Sequence, residues 1–168
     1  MLTLFFKALK ALNSDYSPAQ ISLAVCLGMI IGLTPLGSVH NAIFFLFVLM
    51  VRVNLGIFLL SLGLFSGVAY FVDPITESFG FWLLHLNAFE RLWVYLYQSS
   101  VWRLLEYNNS LVIGSFLAAI LMVPLLYVGT KSLVVLYRER VMMWVKSSRL
   151  GLWLKSGKLF SAYQNFQG

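Results

Sequence analysis

Thr34, Ser38, His40 and Asn41 stand close together around Pro35 and Gly37, in the middle of an otherwise apolar run from Ile21 to Val51. Two hydroxyls, an imidazole and a carboxamide can hydrogen-bond, and the imidazole can also take up a proton. The group contains no carboxylate, and the chain shows no phosphate-binding loop, zinc-protease helix or nucleophile elbow. This chemistry suits holding an anion better than covalent catalysis. Thr34-Pro35 removes a backbone donor and pushes Thr34 out of helical geometry, so the helix must break there. A helix restarting near Ser38 would face the break with unpaired amides and the positive end of its dipole. Thr34, Gly37, Ser38, His40 and Asn41 therefore form the candidate headgroup- or anion-binding group, with Pro35 as the break and a lipid phosphate as its natural ligand. In the competing arrangement these groups satisfy one another and merely cap the broken ends.

The surroundings of this group are lipid-seeking. The 168 residues are 60% hydrophobic, 16% aromatic and only 11% charged, with a mean hydropathy of +0.84. Such a chain is an integral membrane protein, too short to add a soluble catalytic domain. The formal charge of +6 then speaks of topology before nucleic-acid binding. Cys26 lies in an apolar stretch and has no second cysteine to pair with.

Four apolar segments position the polar group: 18–33, 38–51, 55–72 and 111–136. Ser17-Pro18-Ala19-Gln20 starts the first with a capping serine, a proline at the first helical position and a glutamine three residues after the cap. A crossing helix needs about 20 apolar residues, so 55–72 and 111–136 span, while the shorter pair forms a broken-helix hairpin over 18–51, read as re-entrant with two thin full crossings as the alternative. Gly28-x-x-x-Gly32 and Gly63-x-x-x-Gly67 give two flat strips for helix packing, expected to join the hairpin to the third segment or to a second copy. Residues 1–16 carry apolar side chains at helical spacing around Lys7 and Lys10, as in an interfacial amphipathic helix. Apolar and aromatic residues at spacings of three and four also predict amphipathic helices across 75–107, including Trp82, Trp93 and Trp102. His85 and Glu90, in that stretch, fit a plain amphipathic surface better than an acid–base pair.

Positive charge orients the whole. Lys7 and Lys10, Arg52, and the basic tail at 137–168 with Arg138, Arg140, Lys146, Arg149, Lys155 and Lys158 belong to the cytoplasmic side. The tail interleaves basic and aromatic residues as a helix on anionic lipid would. The segment from Asp73 to Asn109 holds Arg91 and Arg103 against Asp73, Glu77, Glu90 and Glu106, so it belongs outside. No Asp or Glu falls inside the four apolar segments, which disfavours coupling to an ion gradient.

The order of motifs, Ser17-Pro18, Gly28-x-x-x-Gly32-Leu33-Thr34-Pro35-Leu36-Gly37-x-x-His40, Arg52-x-Asn54-Leu55 and a later Asp73-Pro74, resembles a bacterial inner-membrane family catalogued as domain of unknown function two thousand and sixty-two. The likeness covers about residues 15 to 80 and implies a small inner-membrane protein of the bacterial envelope, with no catalytic residue to carry over.

Together these readings predict an all-α integral membrane protein: a membrane domain at 17–136 made of the hairpin and two full transmembrane helices, flanked by amphipathic interfacial helices. The expected function is assistance in handling or transferring a phospholipid or phosphorylated lipid carrier, without catalysis, cofactor, metal or energy source of its own. The alternative is a scaffold subunit anchoring a larger envelope complex. Expected partners are membrane lipids and another envelope protein or a second copy, not nucleic acid, with both termini cytoplasmic.

Overall fold

The computed structural model of the chain describes residues 16 to 141, and every regular element among them is helical. The expected N-terminal interfacial helix and the basic residues Lys146, Arg149, Lys155 and Lys158 lie outside the described residues.

Helix α1, Pro18–Leu33, begins as its sequence dictates. The Gln20 amide donates to the Ser17 hydroxyl at 3.2 Å, and the Ser17 amide donates to the Gln20 side chain at 2.9 Å, which satisfies two orphan donors reciprocally. It ends at Thr34, whose extended backbone (φ −94°, ψ 153°) is what a following proline demands. Helix α2, Val39–Met50, follows after Ser38. Helix α3, Leu55–Leu84, is capped by Asn54, which accepts from the Ile57 amide at 3.0 Å. Helix α6, Ser110–Leu136, continues into a single wide turn at Tyr137–Val141 that holds Arg138 and Arg140.

The third helix departs from the expected boundaries. A span at 55–72 followed by a separate segment from 75 was predicted, but α3 runs unbroken through Pro74 to Leu84. Pro74 deprives only the Tyr70 carbonyl of its helical donor. Neighbouring hydroxyls support the backbone here, Thr76 donating to the Asp73 carbonyl at 3.1 Å and Ser78 to the Pro74 carbonyl at 2.7 Å. What remains of 75–107 is a short turn at Asn87–Phe89, helix α4 at Glu90–Tyr97 and helix α5 at Ser100–Leu104.

At about 1.5 Å per residue, the 30 residues of α3 and 27 of α6 extend about 45 and 40 Å, more than a hydrocarbon layer of about 30 Å. Both are long and apolar enough to cross a membrane. Leu59, Leu64, Phe71, Leu121 and Leu125 are exposed on them, a surface that lipid tolerates and water does not.

The core is α1, apolar on every side and the most enclosed helix of the described residues. It runs parallel to α3. The Ser61 hydroxyl donates to the Val25 carbonyl at 2.9 Å, and the glycine strip of α1 lets the two backbones meet. A Cβ added at Gly28 would sit 2.7 Å from Ser61 Cβ and 2.8 Å from the Phe58 carbonyl; one at Gly32 would sit 2.8 Å from the Leu62 carbonyl. The expected packing of Gly28 and Gly32 on the third segment is what the structure contains. Gly63 and Gly67 take no part in it: nothing lies within 4 Å of a Cβ built at either. A second close crossing joins α3 to α6, where Cβ atoms at Gly80 and Gly114 would overlap the carbonyls of Ser110 and Thr76 respectively. The pattern was present in the sequence as Thr76-x-x-x-Gly80 and Ser110-x-x-x-Gly114. Helix α6 then returns past α1, with Cys26 Sγ 3.8 Å from the Val123 carbonyl.

Candidate functional site

The break between α1 and α2 gathers Thr34, Ser38, His40 and Asn41, all buried, beside the exposed Leu36 and Gly37. Thr34 and Asn41 are largely committed to each other and to α1. The Thr34 hydroxyl lies 2.8 Å from both the Ile30 carbonyl and Asn41 Oδ1, its one hydrogen serving one at a time. The Asn41 amide group donates to the Pro35 carbonyl at 2.9 Å and reaches the Ile31 carbonyl at 3.5 Å. For this pair the self-capping arrangement is the one adopted. The Ser38 and Asn41 backbone amides are also occupied, by the Pro35 and Ser38 carbonyls at 3.0 Å each. Val39 and His40 are left as the first-turn amides of α2 without such a bond among the described residues. Gly37 adopts no left-handed backbone, and a Cβ there would meet open space. Its turn therefore does not depend on being glycine.

His40 is the exception in this cluster. Only 2% exposed, it holds both ring nitrogens buried with no hydrogen-bond partner among the described residues. Leaving such a group unpaired costs about 1–3 kcal/mol, so the position calls for a ligand or a compensating role. Its ring is enclosed by aromatics: Tyr107 stacks on it at 5.7 Å and Phe116 meets it edge-on at 5.2 Å. Tyr107 leads outward to Trp102 at 4.9 Å, and Trp102 to Trp93 at 6.3 Å. Burial pushes the Tyr107 phenol above its ordinary pKa, so the ring over His40 is neutral. Sequence reasoning missed Tyr107, Phe116 and Trp102 as neighbours of the break, because their contact depends on how α5 and α6 turn back over it.

Over residues 4–143 the amino-acid sequence matches the family described as an uncharacterized protein conserved in bacteria, DUF2062. The chain belongs to this family. An uncharacterized protein of Treponema pallidum (strain Nichols) is 28% identical over 138 residues, 82% of this chain and 85% of that one. No solved structure matches it.

Among the described residues, cavities lie at both ends of α1 of this DUF2062 protein. At the break, a groove of about 200 Å³ is lined by Gly32, Leu33, Thr34, Pro35 and Leu36 on one side and Ser66, Ala69, Tyr70 and Asp73 on the other. Its carboxylate lies one residue past the apolar segment 55–72, on the continuous helix α3. At the other end of α1, Gln20, Val48, Arg52 and Asn54 line a larger cavity of about 640 Å³. Among the described residues no group of three or more His, Cys, Asp or Glu is placed to hold a metal ion.

Proposed function

We propose that this protein assists the handling of phospholipid, or of a phosphorylated lipid carrier, in the bacterial inner membrane, by holding the phosphate at the start of α2. The supporting observation is His40, an imidazole whose two buried nitrogens have no partner among the described residues, in the first turn of a helix whose Val39 and His40 amides likewise lack turn partners there. Amides at a helix start together with an imidazole are an anion-holding chemistry, and the exposed Leu36–Gly37 tip is the approach. The phosphate belongs on this side of the break, since the Asp73 carboxylate repels it from the other. The function is non-catalytic, and both termini are cytoplasmic.

The hairpin's depth fits a headgroup role. Its tip borders Asp73, eighteen residues or about 27 Å along α3 from Leu55, close to the thickness of the hydrocarbon layer. The broken hairpin enters from the cytoplasmic side and reaches the far headgroup zone.

The test uses full-length protein in vesicles containing a fluorescent phospholipid whose leaflet is read by chemical quenching. His40→Phe keeps a ring of similar size but removes both nitrogens, and Ser38→Ala removes the adjoining hydroxyl. Loss of a hydrogen bond to a charged group predicts lipid movement about tenfold slower in His40→Phe. Wild-type rates in both variants would remove the site.

A second reading, a scaffold subunit, draws on the glycine strip of Gly63 and Gly67, which faces open space in the apolar middle of α3 and so offers a surface to another helix. Gly63→Leu with Gly67→Leu would strip a stoichiometric partner, or a second copy, from protein purified in mild detergent. No such partner in the unaltered protein would end this reading.

A further inference from the structure

The groove on the Asp73 side of the break collects acceptors and nothing to neutralise them. Asp73 supplies a carboxylate, and among the described residues no Lys, Arg or His lines the groove. The Ser66 hydroxyl is buried with no hydrogen-bond partner among the described residues. Tyr70 also lines the groove, and its carbonyl lacks the helical donor that Pro74 cannot supply. Gly32 and Leu33 are the last two residues of α1, where carbonyls have no intrahelical donor. The side-chain bonds at this end go to Ile30, Ile31 and Pro35, not to Gly32 or Leu33. The negative end of the α1 dipole adds to the Asp73 charge. Asp73, Ser66 with its unsatisfied hydroxyl, and Tyr70, whose carbonyl loses its helical donor to Pro74, are thus neighbours around one groove of about 200 Å³.

We propose that this groove is a binding site for a monovalent cation, held by the Asp73 carboxylate and the Ser66 hydroxyl with backbone carbonyls of Tyr70 and the α1 terminus. An all-oxygen set with one carboxylate matches a single positive charge, and divalent ions would demand more acids than line the groove. Broken membrane helices divide their labour in this way, the C-terminal end of one half taking cations while the N-terminal end of the other faces anions. Two sources supply the charge. One is the primary ammonium of a zwitterionic phospholipid whose phosphate lies at α2; this form rests on the function proposed above and names its substrate class. The other is a free alkali ion.

The experiment measures full-length protein, with Asp73→Asn and Ser66→Ala, in two arms. In the first, nanodiscs of phosphatidylethanolamine, phosphatidylcholine or phosphatidylglycerol are compared by the lipid retained after detergent extraction. In the second, thermal unfolding in detergent is followed with sodium, potassium or choline chloride at equal ionic strength. The lipid-ammonium form predicts at least fivefold retention of phosphatidylethanolamine over its trimethylated analogue, lost in Asp73→Asn and reduced in Ser66→Ala, with phosphatidylglycerol retention unchanged. The free-ion form predicts stabilisation by sodium or potassium over choline, absent in Asp73→Asn. Either result establishes the cation site. Wild-type and Asp73→Asn proteins that agree in both arms overturn it, folding of the variant being checked by helical circular dichroism. His40→Phe separates the two ideas: loss of phosphatidylglycerol retention there, with sodium protection intact, keeps both, whereas unchanged phosphatidylglycerol retention removes the phosphate reading alone.

Discussion

Placing one methyl group at Gly80 tests the α3–α6 crossing directly. A Cβ there would overlap the Ser110 carbonyl and lie 2.9 Å from the Gly114 amide nitrogen. Both obstacles are backbone, so no rotamer change relieves them and the helices themselves must separate. Overpacking costs about 1–3 kcal/mol, and immovable neighbours put this site near 3. Alanine in place of glycine within a helix returns about 1 kcal/mol, leaving a net loss of about 2 kcal/mol, or about 30-fold in the unfolding constant. Gly63→Ala carries only the helix term, because nothing lies within 4 Å of its added Cβ, and should stabilise by about 0.5–1 kcal/mol. The assay is reversible unfolding of the full chain in mixed micelles with increasing dodecyl sulfate, followed by helical circular dichroism. Gly80→Ala unfolding with wild-type stability, or Gly63→Ala losing as much as Gly80→Ala, would refute the packing described.

Gly28→Ala, facing Ser61 Cβ at 2.7 Å and two backbone atoms of α3, should lose about 1–2 kcal/mol in the same unfolding measurement. Asn41→Ala removes the donor to the Pro35 carbonyl and the partner of Thr34 inside the buried break, and should cost about 2 kcal/mol in unfolding free energy. Alkaline unfolding should show Tyr107. Its folded pKa lies above the ordinary 10.0, so its stabilising contribution is complete below pH 10 and is lost as pH rises through the folded value. Tyr107→Phe should abolish that part of the decline, and a variant with the wild-type alkaline profile would contradict it.

Much of this architecture was legible because it follows from local rules. Ser17, Pro18 and Gln20 fix the start of α1, Pro35 fixes its end, and Gly28 and Gly32 mark the face that meets α3. The errors arose where tertiary contact overrides local signals. The apolar run stops at Val72 but the helix does not: the single hydrogen bond lost at Pro74 is outweighed when Thr76, Gly80, Ser110 and Gly114 interlock beyond it. The continuous helix keeps Asp73, one residue beyond the apolar segment 55–72, beside the break, a neighbour that sequence spacing alone did not disclose. Gly63 and Gly67 have the same spacing as Gly28 and Gly32, but spacing alone does not say which strip meets a neighbour. The break itself was visible, and its division of labour was not: Thr34 and Asn41 close on each other, whereas His40 is left unpaired under Tyr107 and Phe116.

The central claim, a lipid phosphate at the start of α2, is tested most directly by a distance. His40 and His85 are the only histidines, so full-length His85→Gln protein labelled with ¹⁵N-histidine carries a single labelled imidazole. Magic-angle-spinning measurement of ¹⁵N–³¹P dipolar coupling in phospholipid bilayers reads whether a phosphorus atom lies beside it. A phosphate hydrogen-bonded to His40 should dephase the bonded ring nitrogen as a phosphorus about 3.5–4.5 Å away would, and the effect should disappear in bilayers of a phosphorus-free glycolipid. A ring nitrogen signal that phosphorus leaves untouched in phospholipid would contradict it.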